Sequence, residues 1–91
     1  MTVLTRETRE TQIRIELTRP AAGAAPVVAI DTSEPFLDHM LITLARYAGL
    51  GVTVHARGDL KHHLIEDVGI AFGEALRAFA PPTAARYGDR T

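Results

Sequence analysis

The chain has 91 residues, enough for one small domain that buries only about 60–65 % of the surface its unfolded form exposes, so association with further copies is the usual remedy for so thin a core. Its 46 % hydrophobic and 23 % charged residues are those of an ordinary soluble domain, and a formal net charge of −1 with an isoelectric point near 6.4 gives no electrostatic footprint for nucleic acid. Cysteine is absent, which excludes disulfides and thiolate sites and leaves His, Asp and Glu as the available metal ligands.

The amino terminus, Met1 to Glu7, is too polar for a signal peptide. The apolar stretch Ala21 to Ile30 is too short for a membrane span and is broken by Gly23 and Pro26, so a cytoplasmic protein without a membrane partner is expected. From Thr8 the pattern alternates, with Ile13, Ile15 and Leu17 on one face and Gln12, Arg14 and Glu16 on the other, which predicts a strand with one buried face. Arg19 to Gly23 turns the chain, and Val27 to Ile30 predicts a second strand pairing with the first as a hairpin.

Asp31-Thr32-Ser33-Glu34-Pro35 carries helix-start chemistry, with Thr32 or Ser33 as N-cap and proline in the first turn. A helix is expected from about Pro35 to Tyr47, with Leu37, Met40, Leu41, Leu44 and Ala48 as its apolar stripe and Gly49 as its stop. His39 falls at the edge of that stripe, where a structural histidine is the ordinary reading. Val52 and Val54 then alternate with Thr53 and His55 in a third strand ending at Gly58-Asp59, so His55 faces away from the valines. The second helix starts near His62, carries Ile65, Val68, Phe72, Ala75, Leu76 and Phe79 at helical spacing, and ends at Pro81-Pro82. Gly69 and Gly73 inside it each cost up to about 1 kcal/mol against alanine, which points to a close approach along that face. The tail from Ala84 to Asp89 is a short strand or lies free. Strand, strand, helix, strand, helix gives an α+β fold, a two-layer sandwich in which a small mixed sheet is covered on one face by two helices. A second copy packed on the outer side of Leu41, Leu44, Val68 and Phe72 makes a four-helix layer.

The chemistry concentrates in His62-His63-Leu64-Ile65-Glu66-Asp67. Residues three and four apart share a helix face, so Glu66 meets His62 or His63, whereas adjacent histidines point about 100° apart and suit two ions better than one. Imidazole with carboxylate fits divalent Mn, Fe, Co, Ni or Zn without choosing among them. The structural alternative is a polar helix start in which Glu66 and Asp67 favour the macrodipole.

Four blocks of the sequence resemble the imidazoleglycerol-phosphate dehydratase family: Arg6-x-Thr8-x-Glu10-Thr11-x-Ile13; Phe36-Leu37-Asp38-His39-Met40-Leu41; Gly58-Asp59-Leu60 with His62-His63-x-x-Glu66-Asp67-x-Gly69; and Arg86-Tyr87-Gly88. The resemblance implies half of an enzyme built from two fused sheet-plus-two-helix units around a pair of Mn²⁺ ions. By that likeness His39, His62, His63 and Glu66 are metal ligands. Glu10 is the acid-base residue, and Arg86 contacts the phosphate of a phosphorylated imidazole substrate, with Asp67 a further candidate for substrate contact. His55 corresponds to a strand histidine that the family places in its second half. Dehydration removes a weakly acidic carbon-bound proton and expels hydroxide, which two Lewis-acidic ions on the imidazole would assist. The chain departs from the family at Glu34-Pro35, at Tyr47, in the shortened loop at Lys61, and in lacking a second half. Three readings follow: a half-sized dehydratase acting as a homo-oligomer, a non-catalytic metal- or imidazole-binding module, and a split enzyme that needs a second-half chain.

Overall fold

The computed structural model describes residues 1–80. They form β1 (Thr2–Glu7), β2 (Thr11–Thr18), β3 (Val28–Asp31), α1 (Pro35–Ala48), β4 (Gly51–Gly58) and α2 (Lys61–Phe79). The four strands make one mixed sheet in the order β1-β2-β4-β3, antiparallel except for the parallel pair β3 and β4. The expected α+β architecture is present, and the expected stretch Ala84 to Asp89 and the stop at Pro81-Pro82 lie outside the described residues.

Alternation in β2 buries Ile13, Ile15 and Leu17, as the sequence predicts, and adds Thr11 to the same face. Val52, Val54 and Ala56 of β4 join them under Leu64, Val68, Ala71, Phe72 and Ala75 of α2 and Leu41 and Ala45 of α1 in one core. Burying Ile15, Leu17 or Val68 contributes about 1.5–3 kcal/mol each.

Three expectations fail for physical reasons. Val28–Asp31 does not form a hairpin with β2, because both edges of β2 are occupied by β1 and β4. Instead α1 supplies the long crossover that parallel pairing requires, and β3 lands at the far edge beside β4. The hairpin is β1–β2, and β1 is a strand the hydrophobic pattern hides: its inward positions are Thr2, Leu4 and Arg6, of which Leu4 alone is apolar. Finally, the α1 stripe splits. Leu41 and Ala45 are buried, while Met40, Leu44 and Tyr47 are 52 %, 44 % and 92 % exposed. Of the four residues expected to meet a second copy, Leu41, Val68 and Phe72 are therefore in this chain's own core, and Leu44 is left outside.

Helix starts also differ from expectation. Glu34 is the N-cap of α1 without a side-chain bond. Thr32 instead sits fully buried before it and donates both its N–H (2.8 Å) and its hydroxyl (2.5 Å) to Asp38 Oδ1, so a first-turn acid reaches back to fix the entry of the helix. Gly49 ends α1 with φ 68°, a left-handed conformation suited to glycine.

The β3 edge is clamped by Arg57, whose guanidinium donates to Asp31 Oδ1 at 3.1 Å and Oδ2 at 2.9 Å. That hydrogen bonding, with a further bond from the Ser33 N–H, holds the Asp31 carboxyl below its ordinary value. A lowered folded value contributes stability above the unfolded one and loses it as pH falls through the folded one. Asp31→Asn should therefore lower the thermal midpoint slightly at neutral pH, with the offset from wild type closing in strong acid. Melting curves across that range check it, and a constant offset would count against the clamp.

Candidate functional site

The β1–β2 turn is built on threonines. Thr8 donates its N–H to the Thr11 carbonyl (2.8 Å), and its hydroxyl accepts the N–H groups of Glu10 (3.1 Å) and Thr11 (3.0 Å). Glu10 therefore stands at a hairpin tip instead of on a strand. The turn is tied to α2 by the Thr11 hydroxyl, 2 % exposed as a residue, which donates to Asp67 Oδ2 at 2.7 Å. Gly58 lets the end of β4 approach this junction, since a Cβ there would lie 3.1 Å from both Leu64 Cβ and Thr11 Cγ2. The Glu10 carbonyl accepts the Asp59 N–H at 2.9 Å.

The result is an open hollow of about 380 Å³ lined by Arg6, Thr8, Glu10, His63, Glu66 and Asp67. Residues from a hairpin tip and from the first two turns of a helix thus converge, although they are far apart in sequence. Arg6 lies 3.6 Å from Asp67 Oδ1 and 4.0 Å from Glu74, with its buried Nε unpaired. Removing the buried hydroxyl with Thr11→Val should destabilise the protein by about 1–3 kcal/mol, because a carboxylate partner is left unmatched. Denaturant unfolding checks this, and an unchanged midpoint would mean that the turn is held by its backbone alone.

The other candidates are distributed differently. His62 meets His63 edge to face, with ring centroids 4.5 Å apart and planes at 61°. His39 lies on α1 beside an apolar groove lined by Leu37, Met40, Leu44 and Tyr47. His55 is exposed on the outer face of the sheet, near Arg6, Glu7 and Arg14. Arg86 falls outside the described residues. A Cβ at Gly69 or Gly73 would meet nothing within 4 Å, so the expected close approach is not made within this chain's described residues.

Among the described residues no three His, Asp or Glu side chains converge as a metal cage. The donor types of His62, His63 and Glu66 nonetheless suit a divalent ion. His63 Nδ1 is closed off from solvent without a hydrogen-bond partner, which leaves its other ring nitrogen for a ligand.

The family model for imidazoleglycerol-phosphate dehydratase matches residues 32–91. This chain belongs to that family. It is 49 % identical over 88 residues to the imidazoleglycerol-phosphate dehydratase of Anaeromyxobacter sp. (strain K), covering 91 % of this chain and 40 % of that protein. It is 42 % identical over 89 residues to the enzyme of that name from Archaeoglobus fulgidus, covering 98 % and 46 %. The crystal structure of the Pyrococcus furiosus protein in complex with (S)-C348 superposes with a TM-score of 0.74 at 40 % identity, over 87 % of this chain and 41 % of that one. The chain thus spans less than half the length of these dehydratases. The matching blocks of the sequence contain Arg6, Thr8, Thr11 and Asp59 without giving them a role; the structure gives them one through the bonds of Thr8, Thr11 and Asp59 and the ion pair of Arg6 with Asp67.

Proposed function

We propose that this chain is a half-unit of a metal-dependent imidazoleglycerol-phosphate dehydratase, eliminating water from imidazoleglycerol phosphate to give imidazoleacetol phosphate in histidine biosynthesis, with each site shared between copies. The observation that carries this reading is the convergence of Glu10 with His63 and Glu66 on one hollow. His62, His63 and Glu66 would hold the ions, with His39, and His55 as a further donor, supplied across a subunit boundary. Bound there, a divalent ion such as Mn²⁺ supplies Lewis acidity towards the imidazole of the substrate. Glu10, fixed through its backbone by Thr8 and Asp59, takes up or delivers the carbon-bound proton. Asp67 accepts the Thr11 hydroxyl through Oδ2 and pairs with Arg6 through Oδ1 at 3.6 Å, so substrate contact through Oδ1 would be shared with Arg6. Arg86 is the candidate for the phosphate.

Sharing is supported by what this chain leaves uncovered. Phe36, Met40, Leu44 and Tyr47 of α1 are all large, apolar and exposed, a patch of the kind that marks an interaction surface, and His39 borders it. The open flank at Gly69 and Gly73 has room for a helix to approach. Among the described residues no helix is long and apolar enough to cross a membrane.

The test is dehydration of imidazoleglycerol phosphate by the Mn²⁺-loaded chain, alone and mixed with a second-half chain, with light scattering on the same samples. Turnover by an oligomer of this chain alone is expected. Turnover on mixing alone makes it one part of a split enzyme, for which its length gives a specific reason. Retained metal with no turnover in either arm makes it a binding module, and a stable 9.9 kDa monomer would end the shared-site reading.

A further inference from the structure

We propose that Asp59 is the positioning residue of His63, holding the ring with its proton on Nδ1 so that Nε2 is the nitrogen offered to a metal. The proposal rests on the reading of His63 as a ligand and adds the group that orients it. Asp59 lies between the end of β4 and the N-cap Leu60, four residues before His63. Its Oδ1 accepts the Leu60 N–H at 2.6 Å, which fixes the carboxylate over the first turn of α2. The same oxygen lies 3.5 Å from His63 Nδ1, in ion-pair range but short of hydrogen-bond geometry.

Nδ1 is shielded from solvent, so water cannot satisfy it. A lone pair at Nδ1 would lie 3.5 Å from the carboxylate with no donor between them, whereas an N–H there has that acceptor nearby. Which ring nitrogen is protonated is set by the bond the other atom's partner allows, and carboxylates bonded to the distal nitrogen of ligating histidines are a recurring means of fixing tautomer and ring direction. Contacts of this kind are often long before a site is filled and tighten afterwards.

Asp59 also joins the two halves of the hollow. Its N–H donates to the Glu10 carbonyl while its carboxylate faces His63. One residue thereby sets the position of the proposed proton-transfer group relative to the proposed ligand.

Long-range ¹H–¹⁵N correlation on the metal-free, full chain, at a pH where histidines are neutral, reads the tautomer directly. His63 should be predominantly Nδ1–H in wild type, revert to the Nε2–H form in Asp59→Ala, and stay Nδ1–H in Asp59→Asn, whose side-chain carbonyl still accepts. Mn²⁺ titration should give an affinity about 10–100-fold weaker for Asp59→Ala than for wild type. A wild-type His63 in the Nε2–H form overturns the proposal, whether or not the alanine variant folds. So does an alanine variant that melts earlier but keeps wild-type tautomer and affinity, since Asp59 would then only support the helix start. A wild type with the Nδ1–H ring that binds no Mn²⁺ supports the Asp59 contact and defeats the dehydratase reading instead, so the two failures are distinct.

Discussion

Glu10→Gln should leave metal content and oligomeric state unchanged while lowering dehydration by about 10²–10⁴-fold, the usual contribution of a positioned acid-base group. The separation follows from where the side chains are mounted. Glu10 is on the β1–β2 turn, whose geometry is set by backbone bonds from Thr8 and Asp59 that the Gln side chain does not disturb. Glu66 is on α2, one helical turn after His62 and His63, where a carboxylate and an imidazole share a face. Glu66→Gln should therefore lose metal and turnover together. Whichever assembly turns over, the chain alone or the chain with a second half, serves as the reference for both variants. If Glu10→Gln strips the metal, Glu10 is itself a ligand or a support for one, and the division of labour between turn and helix is wrong.

How far the sequence could be read depended on how each residue earns its place. Apolar alternation and helical spacing identify β2, β4, α1 and α2, because those elements bury aliphatic side chains at a fixed period. The first strand escaped because Thr2 and Arg6 take inward positions that pattern analysis reserves for apolar residues. The pairing partner of β3 escaped because four residues carry no register information, and the strand that reads as the second arm of a hairpin is in fact followed by a crossover. At the site, His62, His63 and Glu66 stand out by residue type and spacing, and Glu10 only by the family resemblance. Thr8, Thr11 and Asp59 do not, since what makes them matter is a bond to another part of the turn or to something distant: Thr11 to Asp67, 56 positions on, and Asp59 to Glu10. The groove on α1 could be seen only once Leu41 and Ala45 were known to be the buried pair, because helical spacing alone puts Met40 and Leu44 on the same stripe as Leu41.

Replacing both His62 and His63 by alanine should abolish divalent-ion binding altogether, and each single replacement should remove about half of it, because adjacent helix positions diverge by about 100° and serve different ions. The two rings meet edge to face, with centroids 4.5 Å apart and planes at 61°, so the expectation of separate ions rests on their helix positions. Unfolding is a poor explanation for the loss in advance. His62 is exposed and His63 half-buried at the first turn of α2, outside the core formed by Leu64, Val68 and Phe72, and substitutions at such positions usually change stability by no more than about 0.5 kcal/mol. Metal analysis after exhaustive chelation and reloading, with thermal melts of the metal-free proteins alongside, separates ligand loss from misfolding. Equal metal content in wild type and double variant would place the ions elsewhere. A wild type that retains no ion would remove the metal chemistry on which the proposed elimination depends. A single variant that loses all metal would mean that both rings close on one ion, or that the two ions bind only as a pair.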